Sequence, residues 1–219
     1  MHTFSEENYL KSIFKISRET KTEVKTNEIA ADLNTRAASV TDMLKKLAEK
    51  NLIEYVKYQG VSLSPKGTEI AVDIVRKHRL WECFLVDKLG FSWDEVHSVA
   101  EDLEHINSPK LINRLDKFLG YPKYDPHGDP IPDEDGNILP RKGVSLFDLK
   151  LGESGTVVGV KEDSTDFLRY LEKIELILGA KLTLKNKHEF DQSIEVTLSS
   201  GKSTTVSRLI AENLFIKRN

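Results

Sequence analysis

The sequence predicts an α+β protein in three parts: an N-terminal winged helix-turn-helix, a helical middle segment and a C-terminal small β-barrel of the SH3-like type. Three patterns predict this. Two closely spaced amphipathic helices precede a short hairpin, helical periodicity continues to about residue 119, and short alternating strands follow residue 144. Five of the seven prolines lie between the last two parts. The expected domains are 1–65, 66–143 and 144–219.

The N-terminal part predicts a winged helix. Apolar side chains recur at helical spacing over residues 5–18, with Ser5 as the expected N-cap. A short helix capped by Thr26 and a second helix over residues 37–50 are separated by only a few residues, which is typical of a helix-turn-helix. Two short strands about a turn at Gln59 follow, and a hairpin in this place is a wing.

The outer face of the second helix of this motif is basic. Residues 36–67 hold six basic and three acidic side chains, a net charge of +3, although the whole chain carries −3. This charge favours DNA binding over the alternative, a protein-docking module. Arg36 and Ser39 are expected to contact base edges, and Thr41 a base or a phosphate. Phosphate contacts are expected from Lys45, Lys46 and Lys57.

The middle segment is acidic and carries side chains able to bind metal. Residues 91–135 hold eleven acidic and four basic groups, a net charge of −7. If residues 93–105 form one helix, four such side chains share a stripe at i, i+4, i+7 and i+8. They are His97, Glu101, Glu104 and His105. Such a stripe on a buried face needs a cation, whereas on an exposed face it is only solvated charge; the pattern by itself favours neither.

Two further pairs extend the metal hypothesis. A long helix from residue 66 to about 89 places His78 and Glu82 one turn apart, a spacing that serves surface hydrogen bonds more often than metal ligands. In the Pro- and Gly-rich stretch, Asp125 and His127 lie two residues apart on backbone that proline stiffens. Stiff backbone lowers the entropy cost of fixing ligands supplied from a loop.

The C-terminal part predicts five short strands and one helix, the composition of a small SH3-like barrel. The helix is expected to begin at a cap of Ser164 or Thr165 and to end at Gly179. The strand segments are E-S-G-T-V-V-G-V, A-K-L-T-L-K-N, S-I-E-V-T-L, T-T-V-S and L-F-I-K.

Composition excludes several other classes. The single cysteine, Cys83, rules out an intrachain disulfide and any multi-cysteine zinc motif. No apolar run reaches membrane-spanning length, and the N-terminus lacks the pattern of a signal peptide, so a cytoplasmic location is expected. No Ser-His-Asp set and no phosphate-binding loop stands out, and the chain is not expected to be an enzyme.

The order of these motifs resembles the diphtheria-toxin-repressor family of metal-dependent transcriptional regulators. The resemblance covers nearly the whole chain and is most specific in H-x-x-x-E on one helix, E-x-x-E-H on the next, and the loop D-P-H-G-D-P-I-P. It implies a metal-binding and dimerisation domain in the middle and a FeoA-like domain at the C-terminus. It also implies a homodimeric repressor of metal-uptake genes on a palindromic operator, most similar to the three-domain manganese-responsive branch.

The resemblance further implies two metal sites. One would take Glu101, Glu104 and His105 together with the loop residues Asp125 and His127. The other would take a histidine and a glutamate of the long helix, a histidine of the next helix and a carboxylate of the C-terminal domain. These are His78, Glu82, His97 and Asp163, with Asp166 as a nearby alternative.

The ligand set departs from the usual family pattern in two respects that bear on the metal: at the ligand from the first helix, and at Asp125 and Glu101, which stand where other members have cysteine. Asn8 stands where the family usually supplies an acidic or thioether ligand, and an amide oxygen binds a hard ion more weakly. The set contains no sulfur, and oxygen with imidazole favours Mn(II), with Fe(II) as the alternative.

Two other functions stay open at this point. A dinuclear carboxylate-histidine metalloenzyme would use the E-x-x-x-H spacing of Glu101 and His105, although the chain has no second matching copy. A metal-independent winged-helix regulator would use the acidic helix for dimerisation alone.

Overall fold

The computed structural model describes residues 2–20, 22–56 and 60–219, and its helices and sheets confirm the α+β fold class. The chain divides into two compact units. The first comprises Met1–His78, Glu101–Ile112 and Pro132–Asn137, and the second Arg79–Ala100, Asn113–Ile131 and Ile138–Asn219. The domain boundaries expected at residues 65 and 143 stay predictions.

The first unit contains the predicted winged helix. Its elements are α1 (Phe4–Thr20), α2 (Thr26–Asp32), α3 (Ala37–Glu49), β1 (Ile53–Val56) and β2 (Gly60–Leu63). The two strands pair in antiparallel fashion from Ile53 opposite Leu63 to Val56 opposite Gly60. Val40, Leu44 and Leu47 repeat at helical spacing along α3 and are fully buried, which leaves the basic face of α3 outward. The expected turn at Gln59 lies outside the described residues.

Two predicted helix caps are wrong. Helix α1 begins before Ser5, because Thr3 and Glu6 form a capping box: the Thr3 hydroxyl accepts from the Glu6 amide and the Glu6 carboxylate accepts from the Thr3 amide, each at 3.2 Å. In α2, Lys25 is the N-cap and Thr26 is the first helical residue. The sequence-based prediction placed the N-cap two residues too late in α1 and one residue too late in α2.

Three helices follow the wing: α4 (Pro65–Leu89), α5 (Val96–Leu103) and α6 (Pro109–Phe118). The single helix expected over residues 93–105 is wrong, because residues 93–95 and 104–105 form turns. After helix α5, the Ile106 amide donates a hydrogen bond to the Leu103 carbonyl three residues earlier, at 3.1 Å, which is the pattern of a 3₁₀ turn. Glu104 and His105 therefore do not continue a helical stripe. No helix in the described ranges is long and apolar enough to cross a membrane.

The second unit contains a six-stranded antiparallel sheet in the order β3-β8-β4-β5-β6-β7. Its strands are β3 (Val144–Ser145), β4 (Ser154–Val160), β5 (Lys181–Lys187), β6 (Ile194–Leu198), β7 (Ser203–Val206) and β8 (Leu214–Arg218). Alternate strand residues such as Val157, Leu184 and Val196 are buried in one apolar core. All five expected strands are present, and β3 is an addition that the sequence did not predict.

Two helices accompany the sheet, α7 (Thr165–Lys173) and α8 (Arg208–Asn213). Ser164 is the N-cap of α7, as one of the two expected caps. The expected end at Gly179 is wrong, because the chain leaves the helix after Lys173 and Glu175 adopts a positive φ of 64°. The short helix α8 was not predicted.

Candidate metal centre

Glu82 lies at the middle of a cluster in the second unit. This carboxylate on α4 is 2% exposed, and its Oε1 atom lies 3.5 Å from Nδ1 of His97 and 3.5 Å from Nδ1 of His127. Asp125 joins Glu82 and His127 with its ligand atom within 4.8 Å of theirs. When two ligand atoms each lie about 2.1 Å from one ion and the ligand–ion–ligand angle is about 90 to 110°, the two atoms are about 3.0 to 3.5 Å apart. The spacing therefore fits ligands of a shared divalent ion.

The His127 ring is oriented as a metal ligand would be. Its Nε2 atom lies 2.7 Å from the Trp93 carbonyl oxygen, which can only accept, so Nε2 carries the proton. The other nitrogen, Nδ1, faces Glu82. Histidines that bind metals commonly donate their second ring nitrogen to a carbonyl in this way, which fixes the tautomer.

The loop that carries Asp125 is closed by its own side chain. Asp125 Oδ1 accepts hydrogen bonds from the amides of His127 and Asp129, each at 2.9 Å. Arg79 of α4 lies 3.3 Å from Asp125 Oδ2 and donates to Asp129 at 3.0 Å. Arg141 forms an ion pair with the same Asp129 carboxylate. Two guanidinium groups thus hold the loop in one conformation.

The same loop is docked on strand β4 of its unit. The Val160 amide donates to the His127 carbonyl at 2.9 Å. Gly128 has φ of 86°, and a Cβ atom there would lie 2.2 Å from the Val158 carbonyl oxygen. Gly159 approaches from the opposite side, where a Cβ would lie 3.1 Å from the His127 carbonyl. The absence of side chains at both positions allows this close approach.

Two groups in this cluster, His127 and Asp125, have raised pKa values, which favour their protonated forms. Burial opposes the imidazolium of His127, but the hydrogen bond and charge of Glu82, together with Asp125, raise the pKa of His127 to about 9. Burial also raises the pKa of Asp125, and the negative charges of Glu82 and Asp129 add to this. A cluster that retains protons at neutral pH is one that favours positive charge, and a divalent cation supplies it.

A second cluster lies in the first unit around Glu104, whose side chain is fully buried. Its Oε2 atom accepts from Lys11 Nζ at 2.8 Å and lies 2.6 Å from His78 Nδ1. Burial opposes ionisation, yet the His78 hydrogen bond and the Lys11 charge outweigh it and lower the pKa of Glu104. Helix α1, helix α4 and the turn after α5 thus meet at one buried carboxylate.

One oxygen atom of this carboxylate and the side-chain oxygen of Asn8 are suitable for binding a cation. Glu104 Oε1 and Asn8 Oδ1 are buried, and neither has a well-directed hydrogen bond to a described residue. His105 Nε2 lies 3.9 Å from Glu104 Oε1, while its Nδ1 lies 2.6 Å from Glu7. Glu104 Oε1 lies 2.8 Å from the Lys11 ammonium, whereas Asn8 Oδ1 has no donor among the described residues. A buried acceptor without a donor is costly, so this set fits a hard cation held by Asn8, Glu104 and His105.

Within each unit, the structure adds contacts between predicted ligands that the resemblance did not imply. Glu82 lies with Asp125 and His127, although these were expected in separate sites. His78 contacts Glu104, a contact that the resemblance did not imply.

Three of the expected ligands lie apart from these clusters. Glu101 is 51% exposed and lies 3.4 Å from Lys11, at the edge of the Glu104 cluster. Asp163 and Asp166 precede or begin α7 and belong to neither group of potential ligands found among the described residues.

Sequence reasoning missed three participants. Lys11 brings a positive charge into the Glu104 cluster, Glu7 accepts from His105, and the Trp93 carbonyl orients His127. The i, i+4 spacing of Glu7 and Lys11 indicates that they share one face of α1. Nothing in that spacing shows which element the face meets.

The expected DNA-contacting residues lie on or beside α3. Arg36, Ser39, Lys45 and Lys46 are exposed. Thr41 is half-buried, and its hydroxyl donates to the Ala37 carbonyl at 3.0 Å, as is common for threonine inside a helix. Lys57 lies outside the described residues.

Family comparisons match all three parts of the chain. Residues 1–61 match the iron dependent repressor N-terminal DNA binding domain, and residues 64–133 match the iron dependent repressor metal binding and dimerisation domain. Residues 144–218 match the FeoA domain. The iron-dependent repressor IdeR of Mycobacterium leprae is 29% identical over 191 residues, which cover 82% of this chain and 83% of that protein.

Solved structures agree with the family models. A manganese-dependent transcriptional repressor in complex with manganese is 33% identical with a TM-score of 0.88, covering 98% of this chain and all of that one. The manganese regulator SloR is 32% identical with a TM-score of 0.81, and 98% of each chain is covered. These matches confirm the resemblance and disfavour a metalloenzyme. The chain belongs to the diphtheria-toxin-repressor family of metal-dependent, DNA-binding transcriptional repressors.

Proposed function

We propose that this protein is a Mn(II)-activated repressor of metal-uptake genes that binds a palindromic operator as a homodimer. The observation that carries the proposal is the Glu82 carboxylate, 3.5 Å from Nδ1 of both His97 and His127 and grouped with Asp125. The set combines buried oxygen and imidazole donors, Glu82, Asp125 and His127, with the partly exposed imidazole of His97.

The chemistry of the donors supports Mn(II) as the activating metal. Neither cluster contains sulfur, and soft thiolate ligands are what select thiophilic ions. Cys83 is adjacent to Glu82 in sequence, but its thiol points to the Tyr124 carbonyl at 3.7 Å, and burial raises its pKa far above the ordinary value. A protonated thiol is not a metal ligand. Fe(II) shares the preference for oxygen and imidazole and is the second candidate.

We further propose that the two clusters hold one ion each. In the second unit, Glu82, His97, Asp125 and His127 would be the ligands. In the first unit, Asn8, Glu104 and His105 would be the ligands. A bound divalent ion supplies the positive charge that these buried carboxylates otherwise draw from protons and lysine.

The Glu104 cluster supports a direct connection between metal and DNA binding. Asn8 and Lys11 belong to α1, which packs in the winged helix, and Glu104 belongs to the turn after α5. Ligands drawn from both elements restrict the orientation of α1 within the first unit. A DNA-competent state that binds the ion better than other states is then favoured by mass action.

Contacts to the operator would come from α3. We propose Arg36 and Ser39 for base edges, Thr41 for a base or phosphate, and the exposed lysines for phosphates. A twofold-symmetric dimer presents two such helices to successive major grooves, about 34 to 36 Å apart on a palindromic site. A DNA-bound regulator of this kind acts in the cytoplasm.

The test is a titration of Mn(II), and of Fe(II) without oxygen, into metal-stripped protein mixed with a labelled palindromic promoter fragment from a metal-uptake gene. Fluorescence anisotropy is expected to show at least tenfold tighter DNA binding with Mn(II). Glu82→Gln and His127→Gln should require much more metal, as should Glu104→Ala and His105→Ala. Glu95→Gln, an exposed glutamate near α5, is the matched control and should behave as wild type.

Equal affinity for DNA in the presence of a chelator would disprove the metal requirement. A stronger response to Fe(II) than to Mn(II) would assign iron as the activating metal instead.

A further inference from the structure

Lys11 places a positive charge of the protein itself inside the Glu104 cluster. Its Nζ atom lies 2.8 Å from the fully buried Glu104 carboxylate and 3.4 Å from the exposed Glu101 carboxylate. The Lys11 side chain is 19% exposed. Its ammonium therefore contacts the buried ligand on one side while part of the side chain reaches solvent.

An ammonium in this position has two opposite effects. Without metal, it supplies Glu104 with a charged partner, and a buried carboxylate without a partner is strongly destabilising. With metal, it becomes a like charge beside the cation, and the two repel at short distance where water is excluded. The long flexible stem of lysine allows the ammonium to turn outward, at the cost of its bond to Glu104.

We propose that Lys11 is the resident counter-ion of the Glu104 cluster and sets the metal concentration at which this cluster fills. The inference rests on the proposed function, because it concerns the affinity of one of the two proposed metal sites. Lys11 acts through Glu104 and is a positioning residue.

In the Glu82 cluster, the arginine that approaches a candidate ligand is already held by other groups of the loop. Arg79 approaches Asp125 at 3.3 Å, but it is held by Asp129 at 3.0 Å and by the Pro130 carbonyl at 2.6 Å. Its guanidinium thus belongs to the frame of the loop. The Glu82 cluster is expected to fill at lower metal concentration, and the Glu104 cluster to fill second.

The experiment measures Mn(II) binding by calorimetry in full-length protein carrying Glu82→Gln, so that the heat reports on the Glu104 cluster. Adding Lys11→Met removes the ammonium and keeps the apolar stem. The Kd for Mn(II) is expected to fall at least tenfold, while the melting temperature of the metal-free protein falls. Lys11→Arg keeps a cation and should leave the Kd close to that of the parent.

Lys15→Met is the matched control, because Lys15 lies on the same helix and pairs with Asp32 at 3.6 Å. It should leave the Kd unchanged. A lysine with only a structural role would give weaker metal binding when removed, so tighter binding in a less stable protein is specific to the counter-ion role.

An unchanged or higher Kd in the Lys11→Met protein overturns the inference, as does the absence of binding in both parent and variant. Failure of the proposed function is a separate result: wild-type protein would then bind DNA equally well with and without Mn(II).

Discussion

Each buried charge in the two clusters has an identifiable partner, and the partner determines its chemistry. Glu82 lies between two imidazoles, whereas Glu104 lies between one imidazole and an ammonium. The positive charge beside Glu82 comes from protons, which exchange with solvent. The positive charge beside Glu104 comes from Lys11, which is part of the chain. We therefore expect the two carboxylates to differ in how readily they accept a metal ion.

Cys83 is expected to be inert in the folded protein. Its thiol is buried, and burial together with the charge of Asp125 raises its pKa far above the ordinary value, so the reactive thiolate is scarce. A thiol reagent such as DTNB should react at least about a hundredfold more slowly than with free cysteine. One equivalent should react after unfolding in guanidinium chloride. Rapid labelling under native conditions would contradict this.

The stability of the metal-free protein is expected to fall as pH rises. The folded-state pKa of His127, about 9, exceeds its unfolded value near 6.5, so protonated His127 stabilises the fold fully below about pH 6.5 and this contribution is lost through pH 9. The raised pKa of Asp125 has the same sign. Urea unfolding with chelator should show a loss of up to about 3 kcal/mol between pH 6 and pH 10.

His127→Gln should reduce this pH dependence. The matched control is His188→Gln, because His188 is exposed in the same unit. An equal slope in wild type and His127→Gln would mean that another group is responsible.

At the scale of elements, the ligand loop is positioned by contacts between backbones. The loop follows α6, crosses at Gly128 and bonds to β4 through the His127 carbonyl. Its conformation thus depends on the small residues at the crossing as well as on its charged residues.

Gly128→Ala is expected to destabilise the protein by about 2–4 kcal/mol and to weaken Mn(II) binding. Two costs add: the positive φ of 86°, and a Cβ atom 2.2 Å from the Val158 carbonyl. Gly120→Ala is the control, since φ there is 77° and no atom lies within 4 Å of the added Cβ. It should cost about 1 kcal/mol and leave metal affinity intact. Urea unfolding and calorimetry measure both, and equal losses would exclude the close approach as the cause.

At the scale of the whole chain, opposite charges are separated along the sequence. The winged helix carries its excess of basic residues on and after α3, and the acidic excess lies in residues 91–135, where both metal clusters have ligands. One region is therefore suited to phosphate and the other to cations, although the net charge is only −3.

Substitutions on α3 should separate base recognition from phosphate contact. With saturating Mn(II), Arg36→Ala should cost about 1–3 kcal/mol of operator binding and relax sequence preference. Lys46→Ala should weaken all sequences alike and reduce the slope of log K against log salt by about 1. Lys173→Ala, at an exposed lysine of α7, should change neither. Fluorescence anisotropy at several salt concentrations, with operator and unrelated DNA, measures both effects. The same loss of affinity and the same salt dependence in both α3 variants would contradict the prediction.

The sequence by itself determined most of the local structure. Apolar residues at helical spacing define α1 and α3, strand alternation defines β4 to β8, and the identity of the ligand atoms as oxygen and imidazole follows from composition. These features depend on neighbours within about one turn or one strand, which is why single-chain patterns predict them. Local patterns do not predict where a helix ends when the cause is a distant contact. Helix α5 ends at Leu103, and the next residue, Glu104, contacts Lys11 and His78, which are distant in sequence.

Only the tertiary structure decided which ligands share a site. Asp125 and His127 lie beside Glu82 because Gly128 lets their loop approach β4, and Glu104 lies beside Lys11 because α1 packs near the turn after α5. Spacing along a chain shows which residues share a face of an element. Which faces meet depends on packing between elements far apart in sequence. That packing grouped the candidate metal ligands and placed a lysine beside one of the groups.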